Sequence, residues 1–136
     1  MLNKTGRTEE ETEKMIAMAY ASNLHWSSYS KHKIANCARG ENMIATALAY
    51  AGRKEAALHH AKRNCDIIFD NKSEMADFDI SYALMVMTRS LALNGDLSQA
   101  KEYPERCSKS MEEIKDPEDK EIVVSDFNSG PWYGLK

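Results

Sequence analysis

Three observations predict an all-α fold of stacked antiparallel helical hairpins, about six helices and no sheet. The first is composition. Three prolines and six glycines in 136 residues, with Ala, Met, Glu and Lys plentiful, favour helix along the whole chain. The second is the shortage of strand signals: Ile122-Val123-Val124 is the one β-branched run of three, and a helix start precedes it. The third is a segment that occurs twice. Leu48-Ala49-Tyr50-Ala51-Gly52-Arg53-Lys54-Glu55-Ala56-Ala57 is echoed by Leu91-Ala92-Leu93-Asn94-Gly95-Asp96-Leu97-Ser98-Gln99-Ala100, with Gly52 matching Gly95 and Ala57 matching Ala100. Each copy reads as a hairpin turn, because Gly ends one helix in a left-handed cap and an alanine five residues later lets the next helix pack closely.

Taken in order, Thr8 with Glu11 forms a capping box, and Met15, Ile16, Ala19 and Tyr20 recur at helical spacing. A first helix is therefore expected over about residues 7–22. The Ser- and aromatic-rich stretch 23–30 reads as a connector whose Trp26 folds back onto the core. A second helix, about residues 31–51, carries Ile34, Cys37, Ala38, Ile44, Ala45, Leu48 and Ala51 on one stripe. Gly40 inside it signals either a later helix start or a point where two helices touch. The third helix, about residues 54–69, buries Ala57, Leu58, Ala61, Cys65 and Ile68, and Asp70-Asn71-Lys72-Ser73 closes it.

The fourth helix spans about residues 77–93, with Asp77 or Asp79 available as N-cap. Ile80, Ala83, Leu84, Met87 and Leu91 form its stripe, while Met85, Val86 and Leu93 make it apolar nearly all round, as for a central element. The fifth, about residues 96–115, contains Pro104, which deletes the hydrogen bond to the Ala100 carbonyl and is expected to bend the helix. Asp116-Pro117 then starts a sixth helix running to about residue 128. Residues 129–136 form an aromatic tail with Trp132 and Tyr133. A single domain over residues 1–136 follows, with hairpins at about 31–69 and 77–115 and capping helices at about 7–22 and 117–128.

Composition also narrows the function classes. A content of 43% hydrophobic and 29% charged residues is that of a globular protein, and no run approaches the roughly 20 apolar residues of a membrane span. The polar, acidic start contains no signal-peptide core, so a cytoplasmic protein without membrane partners is expected. Cys37, Cys65 and Cys107 are odd in number and form no C-x-x-C pair, which suits reduced thiols. Between Lys31 and Arg63, seven basic residues stand against two acidic ones, within a chain of net charge −3. That local excess permits an anionic ligand, but no recognised nucleic-acid motif accompanies it, and no nucleic-acid partner is expected.

The paired hairpins resemble tetratricopeptide repeats, and the chain is similar to short bacterial proteins built from them. In the first copy, Ile44, Ala45, Gly52, Ala57 and Ile67 match the family's pattern; the second keeps Met87, Gly95, Asp96 and Ala100. The family's second alanine becomes Asn64 and Cys107, its small residue in the first helix becomes Thr88, and its terminal proline becomes Phe69 and Met111. Gly52 and Gly95 lie 43 residues apart. The family repeats about every 34, so an insertion is expected across residues 71–79.

The resemblance implies a non-catalytic scaffold that binds a protein or peptide on the inner face of the first helix of each hairpin. That face would carry Arg39, Asn42, Thr46 and Tyr50 from the first copy, and Tyr82, Met85, Arg89 and Leu93 from the second. Arg39 and Arg89 would bind carboxylates of an acidic or C-terminal peptide, and Asn42 would offer amide donors. With only two hairpins, stability is expected to depend on the terminal helices or on a homodimer.

The competing class is a small helical enzyme, or a bundle binding a small ligand or metal in a polar pocket around Tyr50, His59, Asp79, Tyr82 and Arg89. Against a metal, adjacent His59 and His60 point about 100° apart on a helix and cannot chelate as an i,i+4 pair does. The cysteines fall on apolar stripes, where a thiol carries little thiolate. No Gly-rich phosphate loop occurs, so neither a cofactor nor a catalytic residue is assigned.

Overall fold

The computed structural model describes residues 8–27 and 34–133, and among these every regular element is helical. They are α1 (Glu9–Ser27), α2 (Ile34–Tyr50), α3 (Lys54–Asp70), a short 3₁₀ turn (Lys72–Glu74), α4 (Asp77–Leu93), α5 (Leu97–Ala100), α6 (Pro104–Glu112) and α7 (Pro117–Ser129). The six expected helices are present, the fifth divided into α5 and α6.

Caps account for most boundaries. The Thr8 hydroxyl accepts from the Glu11 backbone N–H at 3.1 Å, and the Glu11 carboxylate accepts from the Thr8 N–H at 3.4 Å, closing the capping box. Asp96 accepts from the Gln99 N–H, and Asp116 from those of Glu118 and Asp119, with Pro117 in the first turn of α7. At α4 the expected roles change. Ala76 is the N-cap, and Asp79 reaches back to accept its N–H at 2.9 Å. Asp77 instead accepts from the Lys115 N–H at 3.1 Å, tying the start of α4 to the end of the second hairpin.

Two expectations need correction. Helix α1 runs to Ser27, through part of the proposed connector, because residues 9–27 contain neither Gly nor Pro to stop it. The side chain of Trp26 and the start of the second helix near Lys31 lie outside the described residues. Pro104 does more than bend the fifth helix. Its missing N–H and its clash with the preceding turn end α5 after one turn, and Pro104 then opens α6. Gly40, by contrast, lies within an unbroken α2.

The hairpin turns are equivalent bond for bond. Gly52 has φ +75° and Gly95 φ +80°. The Gly52 N–H donates to the Ala49 carbonyl and the Arg53 N–H to that of Leu48; the Gly95 and Asp96 N–H groups donate to Ala92 and Leu91 in the same pattern. Ala57 and Ala100, one turn into the following helices, are both fully buried. The correspondence extends inward. Asn64 donates to the Ala38 carbonyl, and Cys107, at the matching position, donates its thiol hydrogen to the carbonyl of Ser81.

Helix α4 packs on both α2 and α3, with α5, α6 and α7 around its other sides. Every residue from Ala83 to Ala92 is accordingly buried, as an element apolar all round requires. One core joins Ala38, Ala45, Ala61, Cys65 and Ile68 to Val86, Met87 and Leu91. A second gathers Leu84, Met85, Cys107, Met111, Val123, Phe127 and Trp132. A third seats Met15 and Ala19 of α1 on Ile44, Leu48 and Ala57. The two ends are thus covered by α1 and by α7 with its tail.

Candidate functional site

An amphipathic helix buried between neighbours on one side leaves residues three and four apart aligned on its other side. In α2 these are Arg39, Asn42, Met43, Thr46 and Tyr50; together with Tyr82 and Arg89 of α4 and Asp126 and Ser129 of α7, they line one cavity of about 300 Å³. Six of the eight residues expected on the inner face therefore converge. Met85 and Leu93 do not. Met85 is buried in the second core under α6 and α7, and Leu93 packs against the third core beside α1.

Covering by α7 is the reason the second hairpin presents less of this face than the first. Asp126 and Ser129 form a wall that no local pattern in the sequence links to α2 or α4, since their placement depends on how α7 docks. The tail docks too. Trp132 is buried, its indole N–H donates to the Phe127 carbonyl at 3.1 Å, and the Tyr133 hydroxyl donates to the Ala49 carbonyl at 3.0 Å. Residues 134–136 lie outside the described residues.

The two arginines differ. Arg39 is held in a two-pronged ion pair by buried Asp79, Nε to Oδ1 and Nη2 to Oδ2 both at 3.0 Å, and it stacks over Phe78. Its hydrogen bond to Asp79 raises the guanidinium pKa above its ordinary value. The expected carboxylate ligand is thus already supplied by the protein. Asn42 is also committed: its amide donates to Asn64 Oδ1 at 3.2 Å and to the Tyr82 carbonyl at 3.1 Å, leaving no amide hydrogen for a peptide.

Arg89 is only 9% exposed, yet forms no ion pair with a carboxylate among the described residues. Its Nη2 donates to the Asp126 backbone carbonyl at 2.7 Å, its guanidinium stacks 4.8 Å from the Trp132 ring, and its Nε has no acceptor. Burial lowers its pKa, the effect of taking a cation out of water, and outweighs the opposing influence of nearby groups, Asp126 among them. The Asp126 carboxylate, in the wall of the same cavity, accepts from the Tyr82 hydroxyl and acts on Arg89 only through its charge. Burial, then that hydrogen bond, raises the Tyr82 pKa above its ordinary value.

The alternative polar pocket assembles only in part. Tyr50, Tyr82 and Arg89 share the cavity, and Asp79 reaches it through Arg39. His59 is exposed on α3 and does not join them. His60 instead enters a network that joins three helices: Nδ1 lies 2.6 Å from Glu41, Nε2 lies 3.0 Å from the Tyr20 hydroxyl, and Glu41 also accepts from Arg63. Glu41, two residues after Arg39 on α2, thus faces α3 while Arg39 pairs with α4. Among the described residues, no group of three His, Cys, Asp or Glu side chains is arranged to hold a metal ion, and no helix is long and apolar enough to cross a membrane.

Comparisons with protein-family models, curated proteins and solved structures found no match to this chain.

Proposed function

We propose that the chain is a non-catalytic interaction module that binds a peptide segment of a partner protein in the inner-face cavity between α2, α4 and α7. One observation carries the reading: six side chains placed on that face by two equivalent hairpins line a single concavity. The Arg89 Nε, buried at this cavity without an acceptor, favours a peptide group that accepts a hydrogen bond, an anionic one above all. The anchor role expected of Arg39 and Asn42 passes to structure: both shape the wall. A tetratricopeptide-like stack is consistent with α4 resting on α2 and α3 together, and a cytoplasmic location suits three free thiols.

A second reading, a small polar ligand, is favoured by the α7 wall, because a cavity of about 300 Å³ with convergent polar groups lies at the small end of ligand sites. The test is retention of a random peptide library by the purified protein and by Thr46→Trp, which fills the cavity and removes only a long side-chain bond to Asn42. The peptide reading expects retention by the unaltered protein and by His59→Ala, and its loss in Thr46→Trp. Equal retention by all three proteins would place binding elsewhere.

A further inference from the structure

Three concavities meet at one side chain. Tyr82 lines the cavity of about 300 Å³ that contains Arg89, a neighbour of about 220 Å³ with Asn64, Ile68 and Phe78, and a third of about 170 Å³ with Phe78, Ile122 and Val123. Arg39 and Asn42 also line both of the first two, and Phe78 the second and third, so the three share walls along one trench.

The ends of the trench differ in chemistry. At one end stands the buried guanidinium of Arg89, whose Nε has no acceptor and whose Nη2 donates to a backbone carbonyl rather than to a carboxylate. At the other stand Ile68, Phe78, Ile122 and Val123, with Asp119 at the margin. Four large apolar side chains are exposed among the described residues, and two of them, Met43 at 45% and Ile122 at 57%, lie on the trench rather than scattered over the surface.

We infer that the trench selects peptide segments that pair one carboxylate, received at Arg89, with one bulky apolar side chain, received between Phe78 and Ile122. This rests on the peptide-binding reading and adds the class of segment. A planar guanidinium in dry surroundings, stacked on an indole, suits a weakly hydrated, singly charged carboxylate. Asp126, beside Arg89, opposes a doubly charged phosphate there, and Asp119 opposes an acid at the apolar end, so the charges also set the direction of the segment.

The carboxylate can come from an Asp or Glu side chain or from a peptide terminus, and two libraries separate these sources. N-acetylated random hexapeptides, one set ending in an amide and one in a free carboxylate, are passed over the immobilised protein and the retained pools are sequenced. Enrichment of about tenfold, the equivalent of about 1.4 kcal/mol, is expected for peptides combining an acid with Phe, Leu, Ile or Met. Enrichment in the amidated set assigns a side-chain acid; enrichment in the free-acid set alone assigns the terminus. Arg89→Met should lose the acid preference and keep the apolar one, whereas Phe78→Ala, at the half-buried edge, should do the reverse. Added salt should weaken acid-dependent retention in the unaltered protein, a readout that does not depend on whether Arg89→Met folds. Retained pools without the paired preference would overturn this inference and leave the peptide-binding reading standing. Retention of no peptide by the unaltered protein would overturn both.

Discussion

The two hairpins begin alike and end differently. Both turn through a glycine with positive φ and the same pair of backbone hydrogen bonds, and both bury an alanine one turn later. Beyond that point α3 continues unbroken to Asp70, while its counterpart stops at Ala100 and restarts at Pro104. Counting 43 residues between copies, Ala61 corresponds to Pro104, Asn64 to Cys107 and Cys65 to Ser108. The turn is therefore set by local backbone requirements that both copies satisfy, whereas the second helix of each hairpin follows its own neighbours. That difference bears on function: the shorter α6 is followed by α7, which covers Met85 and supplies Asp126 to the cavity.

The largest effect should come from imposing the second hairpin's break on the first. Ala61→Pro places a proline inside α3 at a fully buried site, and a loss of about 3 kcal/mol or more is expected in denaturant unfolding. Pro104→Ala should change stability by less than about 1 kcal/mol, because Pro104 already occupies a first-turn position where a missing N–H costs little.

Next come the two matched side-chain bonds. Asn64→Ala would leave one Asn42 donor without its acceptor and remove the extra bond to the Ala38 carbonyl in a buried place, at a cost of about 2–4 kcal/mol. Cys107→Ala removes only a weak thiol donor and a small apolar volume, at about 1 kcal/mol. Equal losses would mean that the polar joint of the first hairpin is no more important than the thiol joint of the second.

Gly52→Ala and Gly95→Ala sharpen the common part. A methyl group meets nothing within 4 Å at either site, so only the left-handed backbone is strained, and about 1–2 kcal/mol is expected at each. Values differing by more than a few tenths would contradict equivalent turns.

The smallest effect near neutrality is an alkaline pH dependence, to which Cys65 of the first hairpin contributes from a lower pH than Tyr82 of α4. Burial, reinforced by the charge of Asp66, pushes the Cys65 thiol from 9.0 up to about 12. The unfolded chain releases this proton from about pH 9 while the folded chain retains it. The thiol's contribution is therefore complete below pH 9 and is lost as pH rises towards 12, at up to about 1.4 kcal/mol per pH unit. Cys65→Ala should flatten the alkaline decline from pH 9 onward relative to the unaltered protein, and a variant at Ser108 should not.

Local signals in the sequence reach as far as the helices, the turns and the central place of α4, because caps, glycines and apolar spacing act within a few residues. They also place Arg39, Asn42, Thr46, Tyr50, Tyr82 and Arg89 on one face, through the register shared by the two copies. What they miss is decided by docking. Asp79 is an acid in an α4 start until the fold brings it 3.0 Å from Arg39, 40 residues away. Asp126 and Trp132 belong to an end helix and its tail, and only the packing of α7 on α4 brings them to Tyr82 and Arg89. Pro104 announces a disturbance by itself, but whether it bends or breaks the helix depends on the surrounding contacts.

Chemical-shift mapping of the full chain with a peptide retained in the library experiment tests the central claim, that two equivalent hairpins build one binding face. Backbone and side-chain perturbations should cluster at Thr46, Tyr50, Tyr82, Arg89 and Asp126, spanning both copies. Perturbations confined to α1 and the outer side of α3, around Tyr20, His59 and His60, would contradict it.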